Sequence, residues 1–234
     1  MSIKLLGKQS LVYGFGHVIT RLVTFLLLPL YTNQFTPEQY GIVALFYTFV
    51  PLLNIVVRYG MGAAFLKNYV PANKEDRMSI MTNVIISLVL TGIPFLLLFY
   101  FFRENLSLVF FGVVKPSYVV MMGIIIFLDT IWSIPMLALR AENRPRLFIF
   151  FSFLNVGVTL LCNLVFIIIF KMNIGSIFLS NLIASLIIFI LVLPYVYQRF
   201  RFSSLSIVKW KTILSFALPF LPAGLFAMAM EVAD

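Results

Sequence analysis

A cation lies inside an oily stretch near the start of the chain. Residues 9–37 contain a single arginine, a single histidine and no acidic residue before position 38. Polar or small residues recur there at spacings of four, three, four and three: Ser10, Gly14, His17, Arg21 and Thr24. This spacing places them on one face of a helix. A guanidinium on such a face is rarely left facing lipid, so the pattern indicates a cavity or binding role, or a buried ion pair.

A second face of this kind follows along the chain. Tyr47, Pro51, Asn54 and Arg58 are spaced four, three and four residues apart. We expect Arg58 close to the cytoplasmic end of its helix, where its side chain can also extend to the lipid headgroups. Arg21 is expected at the middle of its helix, where an arginine costs about 2.5–3.5 kcal/mol. It should therefore face a wet cavity or a buried ion pair. His17 is able to titrate near neutral pH, although hydrogen-bonded packing is its alternative role.

Three acidic residues are candidate counter-charges. Asp129 falls near the middle of an apolar stretch, and Glu231 and Asp234 lie three residues apart on one helix face. Asp129 either pairs with Arg21 and locks the helices together, or stays free and exchanges protons or sodium ions. The residues leave both possibilities open.

Smaller polar stripes occur further along the chain, where hydrogen bonding between helices is the default role. They comprise Asn155, Thr159 and Asn163 in one stretch, and Asn181 and Ser185 in the next. The sequence has no Cys/His spacing typical of a metal site, no glycine-rich phosphate loop and no catalytic loop. It therefore predicts neither metal, cofactor nor enzymatic activity.

The elements that position these residues are transmembrane helices. The chain is 62% hydrophobic and only 11% charged, against roughly 25% charged residues in soluble domains. A helix needs about 20 mostly apolar residues to cross the hydrocarbon core. Seven stretches meet this requirement: 10–32, 39–60, 78–102, 117–139, 147–170, 176–197 and 212–234. The fold class is therefore an all-α, polytopic transmembrane helix bundle.

The positive charges predict the orientation. With a cytoplasmic N-terminus, twelve of the 17 Lys and Arg residues fall on the cytoplasmic side and three outside, while Arg21 and Arg58 lie within helices. Positive residues collect in cytoplasmic loops, so this split favours that orientation. It also accounts for the net charge of +9 without nucleic-acid binding.

Prolines predict bent helices. Seven of the eleven fall within the expected spans: Pro29, Pro51, Pro94, Pro135, Pro194, Pro219 and Pro222. An interior proline removes a backbone donor and usually kinks a helix. Helices that bend and repack suit a transporter, although proline is also generally commoner in membrane helices.

Three segments resemble the polysaccharide flippases of the multidrug/oligosaccharidyl-lipid/polysaccharide exporter superfamily. The first is TRLVTFLLLPLYTNQFTPEQYGIVALFYTFVPLLNIVVRYGMGAAFLK, with its PLYT turn, PEQYG entry and RYG exit. The others are IPMLALRAENRPRLFIFFSFLNVGVTLLCNLVFI and LSFALPFLPAGLFAMAMEVAD. The likeness is a diffuse pattern that runs through the whole chain.

The resemblance implies a carrier in the bacterial plasma (inner) membrane with two six-helix lobes and alternating access. Its cargo would be an undecaprenyl-pyrophosphate-linked oligosaccharide, with membrane lipid, a polysaccharide polymerase and the chain-length machinery as further partners. Seven residues are candidates for the translocation cavity: His17, Arg21, Asn54, Arg58, Asp129, Glu231 and Asp234. Of these, Glu231 and Asp234 would serve as counter-charges once the cargo leaves.

Members of this family have some twelve to fourteen helices, so we interpret the chain as a fragment. Residues 1–211 would form the first lobe, and residues 212–234 the first helix of a second lobe. The alternatives are a drug/cation antiporter of the same superfamily, an intramembrane enzyme of envelope-glycan assembly, and a seven-helix scaffold. Arg21 argues against the antiporter, where cavity carboxylates are expected, and the absence of a catalytic loop argues against the enzyme.

Overall fold

The protein is a bundle of membrane-spanning helices. The computed structural model describes residues 27–233, which contain α-helices and two short helical segments of other types but no strand. Six stretches in this part are long and apolar enough to cross a membrane: Pro37–Arg58, Lys74–Phe101, Pro116–Ala141, Pro145–Ile169, Gly175–Tyr197 and Ile207–Met228. They confirm the last six predicted spans, and the chain is a multi-pass membrane protein.

Ten helices follow one another in the described part. Helix α1 covers residues 27–34. The others are α2 (Pro37–Arg58), α3 (Met61–Tyr69), α4 (Lys74–Phe101), α5 (Arg103–Phe111), α6 (Pro116–Ala141), α7 (Pro145–Leu164), α8 (Gly175–Tyr197), α9 (Ile207–Ala217) and α10 (Phe220–Ala233). Helix α7 continues as a π-helical turn, Val165–Ile169, and a 3₁₀ turn, Phe202–Ser204, precedes α9.

Capping residues explain where the helices begin. Thr36 accepts a hydrogen bond from the Gln39 backbone, and the Gln39 side chain accepts one from the Thr36 backbone, which forms a capping box at the start of α2. Asn73 caps α4 by accepting from the Asp76 backbone, and Ser206 caps α9 in the same way. Proline occupies the first turn of α2, α6 and α7, where its missing donor costs nothing.

Helix α6 is the centre of the bundle. In its most apolar stretch 67% of the residues are buried, against 17% for α2 and 11% for α7. Helices α4 and α8 pack on α6 from either side, and α2 crosses it. One core cluster surrounds Val119, Met122 and Phe178, and a second surrounds Met61, Met81 and Ile134. Together they hold α2, α4 and α8 in register with α6, which fixes the position of the candidate site.

Two helices are interrupted, and the interruptions meet. Helix α2 ends at Arg58, the next two residues adopt left-handed backbone conformations, and α3 then continues the path. Helix α9 ends at Ala217, just before Pro219, and α10 resumes at Phe220. A Cβ atom added to Gly60 would lie 2.1 Å from the Ala217 carbonyl oxygen, so only glycine allows this close approach.

The interior prolines differ in whether the helix is interrupted near them, and their bending of the helices stays a prediction. Helices α2, α4, α6 and α8 run without a break through their interior prolines, Pro51, Pro94, Pro135 and Pro194. Of the positions given above, only Pro219 coincides with an interruption. The segment 61–77, which lies between two of the predicted spans, begins with the nine helical residues of α3.

Candidate functional site

Polar side chains from three helices meet along one junction, which we call the polar seam. It consists of Tyr47, Asn54 and Arg58 of α2, Asp129 and Thr130 of α6, and Asn181 and Ser185 of α8. The α2 residues are those whose spacing predicted a single polar face. Their helix presents that face to α6 and α8.

Two neutral contacts hold α2 against its neighbours. The Asn181 amide donates a hydrogen bond of 3.2 Å to the Tyr47 hydroxyl, and the Thr130 hydroxyl donates one of 3.4 Å to Oδ1 of the Asn54 side chain. Groups of this kind commonly join transmembrane helices. The prediction of interhelical hydrogen bonding is thus confirmed for Asn181, and Asn54 lies where the α2 pattern places it.

Arg58 carries its charge to the middle of the bundle. One terminal nitrogen, Nη2, donates a hydrogen bond of 3.2 Å to the backbone carbonyl of Asp129. The Nε group is buried and has no hydrogen-bond partner among the described residues. Among the side chains that the structure describes, a set that does not include Glu231, no carboxylate lies within salt-bridge distance of this guanidinium. Most of its donors therefore remain available.

Asp129 supplies the backbone carbonyl that Arg58 contacts, but its side chain is bonded elsewhere. Its Oδ1 atom accepts hydrogen bonds from the Ser185 hydroxyl at 2.6 Å and from the Trp132 indole at 2.9 Å. The Oδ2 atom accepts none from the described residues. The two charged residues influence each other electrostatically across the seam. The result is a fixed, hydrogen-bonded carboxylate beside a guanidinium that it does not bind.

The position of Arg58 corrects an expectation. It was expected near the cytoplasmic end of its helix, within reach of the headgroups. The helical path instead continues through α3 beyond it, and Arg58 contacts the midpoint of α6. The neighbouring Tyr59 hydroxyl lies 2.8 Å from the Ser87 hydroxyl at the midpoint of α4, which places the interruption at the same depth.

Most of the remaining predicted cavity residues lie outside the part of the chain that the structure describes. His17, Arg21 and Asp234 lie outside the described residues. Glu231 belongs to α10, whose backbone is described there. A pairing of Asp129 with Arg21, and a role for the acidic pair, therefore stay predictions.

The polar stripe of α7 bonds to its own helix. The Thr159 hydroxyl donates to the Asn155 carbonyl at 3.0 Å, and the Asn163 amide donates to the Thr159 carbonyl at 2.8 Å. Interhelical bonding was expected for this stripe, and that expectation is wrong for these two donors. Backbone carbonyls one turn away are nearer than any neighbouring helix. Asn163 lies two residues before the π-helical turn, which begins at Val165.

A second charged cluster was not foreseen. Glu142, which follows α6, receives two hydrogen bonds from Arg199 at 3.0 and 2.9 Å and one from the Tyr69 hydroxyl at 2.8 Å. Arg144 lies 3.5 Å from the same carboxylate. The cluster ties the ends of α3, α6 and α8 together. The positions are 57 and 73 residues apart along the chain, so no local pattern links them.

The contacts in this cluster also shift the pKa values of Glu142 and Tyr69. Burial opposes ionisation of Glu142, but the hydrogen bonds from Arg199 and Tyr69 outweigh it and hold the pKa of this carboxyl below its usual range. Burial, followed by the bond to Glu142, raises the pKa of Tyr69 to about 12. These bonds therefore stabilise the fold at neutral pH, and their contribution is lost only as the pH falls through the lowered pKa of Glu142.

The fold and the seam define a helical membrane lobe with a polar junction at mid-depth. The family model described as "Polysaccharide biosynthesis protein" matches residues 6–231. The chain belongs to this family. Among curated proteins, none matches it significantly.

Solved structures with the same fold are transporters of the MOP superfamily. A MOP superfamily transporter from Pyrococcus furiosus, described as having a binding pocket of reverse polarity, aligns with a TM-score of 0.74 and 14% identity, over 93% of this chain and 51% of its own. A MATE protein in the straight conformation aligns with a TM-score of 0.76 and 16% identity, over 97% of this chain and 53% of its own. An outward-facing multidrug resistance MATE transporter aligns with a TM-score of 0.72 and 13% identity, over 95% of this chain and 52% of its own. The chain thus spans about half the length of these structures.

Proposed function

We propose that the protein works in a membrane transporter that moves a lipid-linked oligosaccharide across the bacterial plasma membrane. Arg58 would hold the diphosphate of the cargo while the polyprenyl tail stays in lipid. Arg21 and His17, on the matching face of the first predicted span, would complete the site. The family supports a role in polysaccharide biosynthesis, and the fold supports transport.

The observation that carries this proposal is the unpaired state of Arg58. A cation at mid-depth is expensive, and such residues usually pair with a carboxylate or face a functional cavity. Arg58 donates to a single carbonyl, and its Nε group has no hydrogen-bond partner in the described part. A diphosphate offers pairs of oxygen atoms that can accept the two parallel hydrogen bonds of a planar guanidinium.

Asp129 gives the site a way to release its ligand. Its backbone carbonyl accepts a hydrogen bond from Arg58, and its carboxylate, when ionised, repels an anionic ligand at the guanidinium. Ser185 and Trp132 hold the carboxylate still, so its field is the same before and after the cargo leaves. This arrangement favours an anionic cargo over the cationic drugs of an antiporter, which would need Asp129 without Arg58.

The test is export in cells that depend on this gene. Arg58→Ala should abolish surface polysaccharide while the protein still inserts at the normal level. Arg58→Lys should restore only part of it, because an ammonium cannot form the bidentate contact. Arg103→Ala, at a half-buried arginine outside the seam, is the matched control and should export normally. Normal surface polysaccharide in the Arg58→Ala strain would refute the proposal.

A further inference from the structure

A second cationic cavity lies at the end of the bundle, away from the polar seam. It has a volume of about 500 Å³ and opens where α4 begins and α6 and α8 end. Its lining contains three cations and one carboxylate: Lys74, Arg77, Arg199 and Glu142. Because Arg199 already satisfies Glu142, the cavity keeps an excess of positive charge.

Arg77 is held in place by contacts that leave its charge uncompensated. Its Nε and Nη2 atoms donate to the carbonyls of Tyr69 and Val70, both at 3.2 Å. The guanidinium lies 5.2 Å from the centre of the Tyr69 ring. No carboxylate pairs with it among the described residues, and its remaining donors are free to bind a ligand. Such a preorganised guanidinium suits phosphate.

The depth of the cavity indicates where that phosphate comes from. Lys74 and Arg77 lie in the first turn of a membrane span, and Arg199 lies just beyond the end of another. Lipid headgroups occupy this level, and basic pockets between helix ends are known to hold anionic headgroups. The phosphate groups concentrated at this level are those of the lipids.

An apolar groove runs along the same three helices, further into the membrane. It has a volume of about 700 Å³ and is lined by Ile85 and Val89 of α4, Pro135 of α6, and Val192 and Tyr197 of α8, among others. Seven residues, or about 10 Å of helix, separate Met78 at the cavity from Ile85 at the groove. A single lipid molecule can bridge that distance.

We propose that this cavity binds the phosphate headgroup of an anionic membrane phospholipid, with an acyl chain in the adjoining groove. Lys74, Arg77 and the outer edge of Arg199 contact the phosphate. The bound lipid would bridge the ends of α4, α6 and α8, which Glu142 already joins from the inside. The headgroup cavity shares no residue with the seam and does not depend on the cargo, whereas the groove is lined in part by Trp132, which donates to Asp129.

The probe is phosphatidylglycerol, with phosphatidylcholine as the neutral comparison. The purified protein in neutral detergent is mixed with each lipid, and retained lipid is counted by native mass spectrometry. The wild type should retain phosphatidylglycerol in preference to phosphatidylcholine. Arg77→Gln and Lys74→Gln should each weaken that retention about fivefold, the effect of one cation at the headgroup level.

Arg103→Gln is a closely matched control. Like Arg77, Arg103 donates to a tyrosine carbonyl, that of Tyr100, at 2.9 Å, and lies 4.9 Å from that tyrosine's ring centre. It does not line the cationic cavity, so its variant should retain phosphatidylglycerol as the wild type does. Lys74 is exposed, so its variant remains informative if Arg77→Gln fails to fold.

Three results would overturn the proposal. The first is equal retention of the two lipids by the wild type. The second is an equal loss in the Arg77→Gln and Arg103→Gln variants, which would indicate general surface charge. The third is displacement of phosphatidylglycerol by millimolar inorganic phosphate, which would mean that the cavity takes the free anion instead of a lipid.

Discussion

At the scale of single residues, Arg58 and Asp129 form a charged pair without a direct bond. The guanidinium contacts the backbone of Asp129, while the carboxylate is held by Ser185 and Trp132. A conventional salt bridge would use up both charges. Here the carboxylate is fixed and the guanidinium keeps most of its donors, as a site that binds and releases an anion requires.

Asp129→Asn tests this role directly. Both hydrogen bonds end on Oδ1, which asparagine retains, so the fold should lose less than about 1 kcal/mol of stability. Removing the competing negative charge should strengthen binding of an undecaprenyl diphosphate by at least about tenfold, because two unit charges within about 12 Å of each other interact by about 1.4 kcal/mol or more at an effective dielectric of about 20. Retention of that lipid by the purified protein is the measurement.

Asp76→Asn is the control for this substitution. It removes an equal charge from a carboxylate that pairs with Lys209 at the end of the bundle, far along α4 from the seam. Its binding of the diphosphate should be unchanged. Weaker binding in Asp129→Asn would mean that Asp129 supports the cargo instead of competing with it.

The sequence predicted the residues of the seam better than their contacts. The spacing of Tyr47, Asn54 and Arg58 placed them on one face because helical periodicity is local. Trp132 gave no such signal, since its contact with Asp129 depends on the side-chain direction within α6. The depth of Arg58 was misjudged because hydropathy falls at the Tyr59–Gly60 interruption, although the helical path continues.

At the scale of elements, the two interrupted helices are the least ordinary feature of the fold. Discontinuous helices in transporters commonly lie at binding sites, where their free ends face the ligand. The α2–α3 interruption places Arg58 directly before a left-handed turn at Tyr59 and Gly60. The α9–α10 interruption packs against it through Ala217. A movement of one interrupted helix would therefore displace the other at this contact.

Gly60→Ala should disrupt this contact. The new methyl group would lie 2.1 Å from the Ala217 carbonyl oxygen, and the positive φ of +80° adds backbone strain. We expect a loss of about 2–5 kcal/mol, seen as a lower unfolding temperature of the purified protein in detergent.

Gly112→Ala separates strain from overlap. Gly112 also has a positive φ, +68°, but nothing lies within 4 Å of its added Cβ atom. The Gly112→Ala substitution should lower the free energy of unfolding by only about 1 kcal/mol. If the two variants unfold at the same temperature, the close contact between the interruptions does not contribute to stability.

Most elements could be predicted because crossing a membrane demands long apolar helices, and hydropathy records that demand. The boundaries of α6 and α8 differ from the predicted spans by two residues or fewer. The short helices α3 and α5 escaped prediction, since each lies in a stretch whose charges resemble a loop. The Glu142 cluster escaped because it depends on how three helix ends meet.

At the scale of the whole molecule, the orientation in the membrane follows from charge. The Glu142 end of the bundle carries most of the cations, and we predict that it faces the cytoplasm. The described helices alternate in direction as this arrangement requires. The lipid site proposed above would then lie in the cytoplasmic leaflet.

Cysteine labelling tests the orientation. After Cys162→Ala removes the native thiol, single cysteines replace Asn33 or Glu75, both exposed at opposite ends of the bundle. In intact cells, an impermeant thiol reagent should label Asn33→Cys and leave Glu75→Cys unlabelled until the membrane is opened. The reverse pattern would invert the proposed orientation.

The most direct test of the account is binding of undecaprenyl diphosphate to the purified protein in detergent. Because Arg58 is proposed as the main residue that contacts the diphosphate, Arg58→Ala should weaken binding on the order of 30-fold. This corresponds to the loss of about 2 kcal/mol of charged hydrogen bonding. Arg58→Lys should fall between that variant and the wild type, and Arg103→Ala should match the wild type. Undiminished binding by Arg58→Ala would contradict the account.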